Sequence, residues 1–344
     1  MLRSFASDNN AGVSSEVLEY LAKVNNNHAI AYGDDEITQE AIVKFKEVFG
    51  NECQPFLLLT GTAANVTGIA NICKPFQSVV APQSAHINVD ECGAVQRFTG
   101  CAIQSVEGKE GKLTPEQVEP LLHTIGFEHH SQPKLISISQ CTELGTLYTI
   151  GEIKELADFA HKNGMYLHMD GARLANAAVA LNEPFKKFTT DAGVDLLSFG
   201  GTKNGLMAAE SMIFMNKALA NNYKYIRKQG MQLVSKMRYV AAQFLAYFEN
   251  ELWKRNAGHA NYMAKKLYDK LAGVDEIITV YPVETNAVFV KIPREIINPL
   301  QNDYFFYEWD EKESIVRWMT SFDTTEDDIL SFTECVKKHL RART

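Results

Sequence analysis

The chain has 344 residues, of which 46% are hydrophobic and 22% charged, and a formal net charge of −8; this is ample apolar material for buried cores and the length of roughly two domains. The acidic balance argues against nucleic acid or an anionic membrane surface as partner, and no apolar run is long enough to cross a bilayer. The opening MLRSFASDNN lacks an apolar signal core and the six cysteines fall in no paired spacing, so the expectation is a cytoplasmic protein with reduced thiols.

Residues 1–15 lack periodicity and read as an N-terminal arm. A short helical pattern covers 15–23, and 38–49 reads as an amphipathic helix with Ile42, Val43, Phe45 and Val48 on one face. From there strands and helices alternate. Strands are predicted at 56–59, 78–81, 102–106, 135–139, 166–169, 194–199 and 211–215, and helices at 63–73, 149–163 (stopped by Gly164) and 174–181. Such alternation predicts an α/β fold with a mostly parallel sheet covered on both faces. A long helical region over 218–271, broken at Gly230 and near Gly258, leads out of it. Strands at 277–281, 287–292 and 314–319 and a closing helix over 325–340, capped by Thr325, read as a smaller α+β unit. The expected division is an arm over 1–15, a large domain over 16–245 and a small C-terminal domain over 246–344.

Ligands of an open parallel sheet gather at the carboxyl ends of its strands, and three segments place polar residues there. In Leu59-Thr60-Gly61-Thr62-Ala63 a strand gives way to a helix through small residues. Free N–H groups at such a start cradle phosphate, although a simply capped helix explains the same residues. In His168-Met169-Asp170-Gly171-Ala172-Arg173 an apolar strand ends on a carboxylate; it reads either as a cap with a salt bridge or as a buried acid facing a protonated ring nitrogen. In Phe199-Gly200-Gly201-Thr202-Lys203-Asn204-Gly205 a lysine follows a strand and a glycine-rich turn. Most lysines are solvated, but one desolvated here would lose its proton and condense with an aldehyde. Together these segments supply a phosphate cup, a ring-nitrogen acid and a reactive amine, which is the set that pyridoxal phosphate requires. No GxGxxG opens a helix and no HExxH is present, so neither a dinucleotide enzyme nor a metal hydrolase has support, and no metal is expected.

The order of these motifs resembles that of the low-specificity L-threonine aldolases, in the β-eliminating lyase/threonine aldolase branch of fold type I pyridoxal-phosphate enzymes. Its anchors span nearly the whole chain: Ser7-Asp8-Asn9, Tyr32-Gly33-Asp34-Asp35, Thr60-Gly61-Thr62, Ser84-Ala85-His86 with Glu91, His168 to Arg173, Lys203, and Arg317-Trp318-Met319-Thr320. The resemblance implies an aspartate-aminotransferase-like fold and retro-aldol cleavage of threonine, allo-threonine and other β-hydroxy amino acids to glycine and an aldehyde. It implies that Lys203 carries the cofactor, Asp170 meets its ring nitrogen, Arg173 lies near its 3-hydroxyl, Gly61 and Thr62 bind its phosphate, and His86 stacks on its ring. Ser7 and Arg317 would clamp the substrate carboxylate, while Tyr32 and Lys228 would reach a neighbouring subunit's site in a homotetramer built as a dimer of dimers. His86 or His129 would take the hydroxyl proton; a satisfied structural histidine is the competing reading of the first, and an exposed polar loop that of the second.

The chain also departs from the better-known pattern. Asn9-Asn10 follow Ser7-Asp8 where relatives read RSDT, Asn88, Val89 and Asp90 replace an aromatic after the stacking histidine, and Ser139-Gln140-Cys141-Thr142-Glu143 stands in place of an ENTH-like run. These changes fit a second branch of the family. The rival readings are β-elimination or transamination with the same cofactor, and a cofactor-free scaffold acting through protein contacts.

Overall fold

The computed structural model describes residues 3–342; the outermost two residues of the arm and of the C-terminal unit lie outside that range. β1 (Gln54–Leu58), β2 (Gln77–Pro82), β3 (Ala102–Val106), β4 (Gln132–Ser139), β5 (Tyr166–Gly171), β6 (Leu196–Gly200) and β7 (Glu210–Phe214) form one sheet in the order β1-β7-β6-β5-β4-β2-β3. Only β7 runs antiparallel to its neighbours β1 and β6; the other pairs are parallel. Successive side chains of a strand face opposite ways, and the residues sort accordingly. Leu57, Val80, Ile136, Leu167, Leu197 and Ile213 enter one core, while Leu58, Val79, Leu135, Leu196, Met212 and Phe214 enter another. Helices Glu36–Phe49, Ile150–Lys162 and Arg238–Phe248 cover the first face, and Gly61–Ile72 covers the second.

Four further strands, β8 (Ile278–Thr279), β9 (Ala287–Lys291), β10 (Tyr307–Asp310) and β11 (Ile315–Met319), make an antiparallel sheet in the order β10-β11-β9-β8. Its core gathers Val288, Val290 and Trp318 with residues of helices Arg294–Asp303 and Glu326–Arg341. Phe5 is part of that core: it is fully buried, stacks on Phe332 at 4.3 Å, and its carbonyl accepts from the Met319 N–H. The N-terminal segment is thereby held against β11, which delivers Ser7, Asp8 and Asn9 to the junction of the two sheets.

The long helical region differs from expectation. It comprises Tyr223–Gln229, Arg238–Phe248 and Leu252–Leu271. Gly230 ends the first helix as expected, but Gly258 lies inside the last, where a Cβ would meet only Val179 at an ordinary 3.8 Å. The second break falls instead at Asn250 and Glu251, which take left-handed φ of 49° and 53°, a conformation open to few residues besides glycine and asparagine. Helix Leu252–Leu271 belongs to both halves: Leu252 and Ala257 pack under the large sheet, Met263 to Leu271 under the small one.

Candidate active site

A cleft of about 290 Å³ opens where β4, β5 and β6 end, facing the start of helix Gly61–Ile72. Its walls bring together Gly61, Thr62, His86, Asp170, Arg173 and Lys203, six of the residues singled out in the sequence. Thr60 caps the helix, its hydroxyl accepting from the Ala63 N–H at 3.3 Å. That cap leaves the first-turn N–H groups of Gly61 and Thr62 without intrahelical acceptors. The capped helix and the anion cradle are therefore the same structure.

Asp170 ends β5. Its Oδ2 accepts from Asn65 Nδ2 at 2.8 Å and its Oδ1 from the Ala172 N–H at 2.9 Å. Burial alone would raise its pKa, but Lys203, the Asn65 bond and His86 outweigh burial and hold it below the usual carboxylate value. Asp170 is thus an anion on the cleft wall. Lys203 follows β6 on the turn Thr202–Asn204. Burial, then the Arg173 guanidinium, lower its pKa against the opposing pull of Asp8, Asp170 and Glu210, which favours the free amine that attacks carbonyls.

Arg173 grips Asp8 through two hydrogen bonds of 2.7 and 2.8 Å, a fork matched to a carboxylate. Asn286 Nδ2 donates to the same Asp8 at 3.0 Å. Arg317 on β11 lies beside this pair. It donates through Nη2 to the Ala6 carbonyl, and Tyr307 and Trp309 rings lie 5.6 and 5.2 Å from its guanidinium carbon. Its Nε is buried with no partner, and burial together with Arg173 lowers its pKa to about 10. A partnerless guanidinium N–H beside a second guanidinium is a place for an anion.

His86 opens the short helix His86–Val89. Its Nδ1 lies 2.9 Å from Glu91 Oε1, which also accepts from Asn65 Nδ2 at 2.8 Å. One amide therefore ties the imidazole's partner to Asp170. The bond to Glu91 chiefly raises the His86 pKa against burial. Glu143 accepts from the His86 main-chain N–H at 2.9 Å and from Ser139 Oγ at 2.6 Å. By contrast His168 is a satisfied core histidine, held between Ser137 and Ser198 at 2.8 and 3.0 Å and pushed by burial down to about 4.

Four expected site residues stand elsewhere. Ser7 does not line the cleft: its hydroxyl caps the turn Asp8–Asn10 by accepting from the Asn9 N–H, and Asn9 is the residue of that segment on the cleft wall. His129 is corrected as well. It is exposed on the loop before β4, its ring 5.2 Å from Phe127. The cleft lies at the other end of that strand, roughly 20–25 Å away at ~3.3 Å per residue. Tyr32 and Lys228 are exposed, do not line their own chain's cleft, and meet each other with Lys228 Nζ 5.2 Å from the Tyr32 ring centroid. Sequence reasoning gave no role to Asp8, Asn65, Glu91, Glu143 or Glu210. Asp8, Glu91 and Glu143 stood within the segments quoted for the resemblance, but the bonds of Asp8 to Arg173 and of Asn65 to Asp170 join residues distant in sequence.

The model of the β-eliminating lyase family matches residues 4–295. The chain belongs to this family. A low-specificity L-threonine aldolase from a Pseudomonas species is 35% identical over 94% of both chains. A Leishmania major threonine aldolase structure superposes with a TM-score of 0.91 at 29% identity, covering 97% of this chain and 98% of that one. A Thermotoga maritima aspartate aminotransferase shares the fold, with a TM-score of 0.75 at 13% identity over 99% and 92% of the two chains, so this lyase has the aspartate-aminotransferase-like architecture. Its cofactor is pyridoxal phosphate, and the cleft fits that group. Gly61 and Thr62 present free N–H groups for a phosphate, Asp170 stays ionised for a protonated ring nitrogen, and Lys203, its pKa lowered by burial, offers an amine from the same walls.

Proposed function

We propose that this lyase is a low-specificity L-threonine aldolase, cleaving threonine, allo-threonine and related β-hydroxy amino acids to glycine and an aldehyde. The observation that carries the reading is the meeting of Lys203 and Asp170 in one cleft that also contains a helix-start anion cradle and borders a guanidinium pair. Relatives that match nearly end to end are named for this activity.

Lys203 would hold the cofactor through its amine. Arg317, with its spare Nε beside Arg173, would grip the substrate carboxylate, and that grip would orient the bonds at the substrate Cα. The bound cofactor supplies an electron sink for the pair released when Cα–Cβ breaks. Asp170, held ionised by Asn65 and the Ala172 N–H, would keep the ring nitrogen protonated. His86 would take the proton from the β-hydroxyl, its Nδ1 fixed by Glu91. Lys228 and Tyr32, exposed and paired with each other, are proposed to complete the site of a neighbouring subunit in a homotetramer, and Ser7 to reach substrate through the turn it caps. We assign 16–245 to a cofactor-binding domain and 246–344 to a small domain; two cores support two units, with Ala246, Tyr247, Phe248, Leu252 and Ala257 packing in the larger one. The proposed compartment is the cytoplasm; among the described residues no helix is long and apolar enough to cross a membrane.

Incubation of the purified protein with L-threonine tests the reaction. Acetaldehyde and glycine in equal amounts are expected. Ammonia with a keto acid in their place would reassign the chemistry to elimination.

A further inference from the structure

Glu210 opens β7 at the meeting point of the cofactor-binding segments. It pairs with Leu58 on β1 and Gly200 on β6, and it lines the cleft although only 7% of its surface is exposed. Its Oε2 would lie 1.8 Å from a Cβ at Gly200, so the carboxyl fills the space that glycine leaves beside β6. The same oxygen lies 3.8 Å from the Cβ position of Gly61, the first residue of the anion cradle. Thr202 bonds it through hydroxyl and main chain, and the charged or titratable groups that act on it are Lys203 and Asp170, with Tyr247 behind it on helix Arg238–Phe248.

We propose that Glu210 is a phosphate-binding acid, which keeps its proton when the cofactor phosphate occupies the Gly61–Thr62 cradle and donates it in a hydrogen bond to that phosphate. The inference rests on the cofactor-site reading above. A phosphate dianion beside a carboxylate is a like-charge pair in a poorly solvated place, and retaining the proton turns repulsion into a donor–acceptor contact. Among the described residues Lys203 is the cation that favours the ionised form, and the cofactor would engage its amine. Even in the empty site, burial raises the Glu210 pKa to about 7, against the pull of Thr202 and Lys203. The sign follows. Below pH 7 the acid is already protonated and phosphate binding takes up no proton at this residue. Above it, binding must take up one, so affinity falls with rising pH, by up to about tenfold per unit.

The test uses pyridoxine 5′-phosphate, which lacks the aldehyde and cannot react with Lys203. Its Kd is measured by titration calorimetry with the full-length protein freed of cofactor, between pH 7 and 9, where the ligand phosphate is a dianion. Titration of the probe's own ring nitrogen is common to both proteins, so wild type should weaken more steeply than E210Q, by up to about tenfold per unit. Proton uptake at pH 8, read from buffers of different ionisation heat, should be larger for wild type than for E210Q by nearly one. Parallel pH profiles for the two proteins, or equal uptake by both, overturn the role of Glu210 and leave the cofactor site standing. Failure of both proteins to bind the probe at any pH overturns the site and this inference with it.

Discussion

His86 must be neutral to accept a proton, and its partner works against that. The Glu91 bond is the largest cause of the raised His86 pKa, so threonine cleavage should lose rate as pH falls through a value above the ordinary 6.5. Replacing Glu91 with glutamine removes that cause and should move the acid limb of kcat/KM to lower pH. An unmoved limb in the pH–rate profile would place the base elsewhere. The residues that could be read in the sequence were those whose meaning is local: Asp170 at a strand end, Lys203 after a glycine-rich turn, Gly61 and Thr62 at a helix start. Glu91 and Asn65 act through each other across 26 positions and on to Asp170 across 105, and no local pattern announces such a bond. His129 misled because the resemblance was followed over the order of the chain: it precedes β4, so it falls at the start of the strand, away from the carboxyl ends where ligands gather.

Elements with strong periodicity and clear caps were placed well. Helix Ile150–Lys162 has a reciprocal capping box of Thr149 and Glu152 and ends at Gly164 with φ of 68°. The strands of the large sheet were legible because buried parallel strands are short apolar runs between turn residues. Helix Arg294–Asp303 was not, since Pro299 reads as a breaker, yet it forms around buried Ile296, Ile297 and Leu300. Burial of that apolar face outweighs local propensity. Gly258 shows the converse case, a glycine read as a break that lies in a continuous helix. A methyl there meets nothing closer than 3.8 Å, so Gly258→Ala should stabilise the protein by about 0.5–1 kcal/mol. Urea unfolding checks this, and a lower midpoint with unchanged slope would mean that the glycine is needed for packing against Val179.

The whole molecule joins two sheets at one cleft. Phe5 anchors the N-terminal segment in the small core, Asp8 carries it to Arg173, and Arg317 comes from β11. Tyr32 and Lys228 extend the question beyond one chain. If Lys228 serves a neighbour's site, mixing K203A and K228A subunits should restore activity, since a hybrid pair holds one site with both lysines intact. Random pairing predicts about a quarter of wild-type activity, and a mixture as inactive as its components would confine Lys228 to its own chain. The central claim is the covalent link at position 203. Borohydride reduction of the native enzyme followed by peptide mass mapping should find the pyridoxyl-phosphate adduct on Lys203; an adduct on another lysine, or none in active enzyme, would contradict the account.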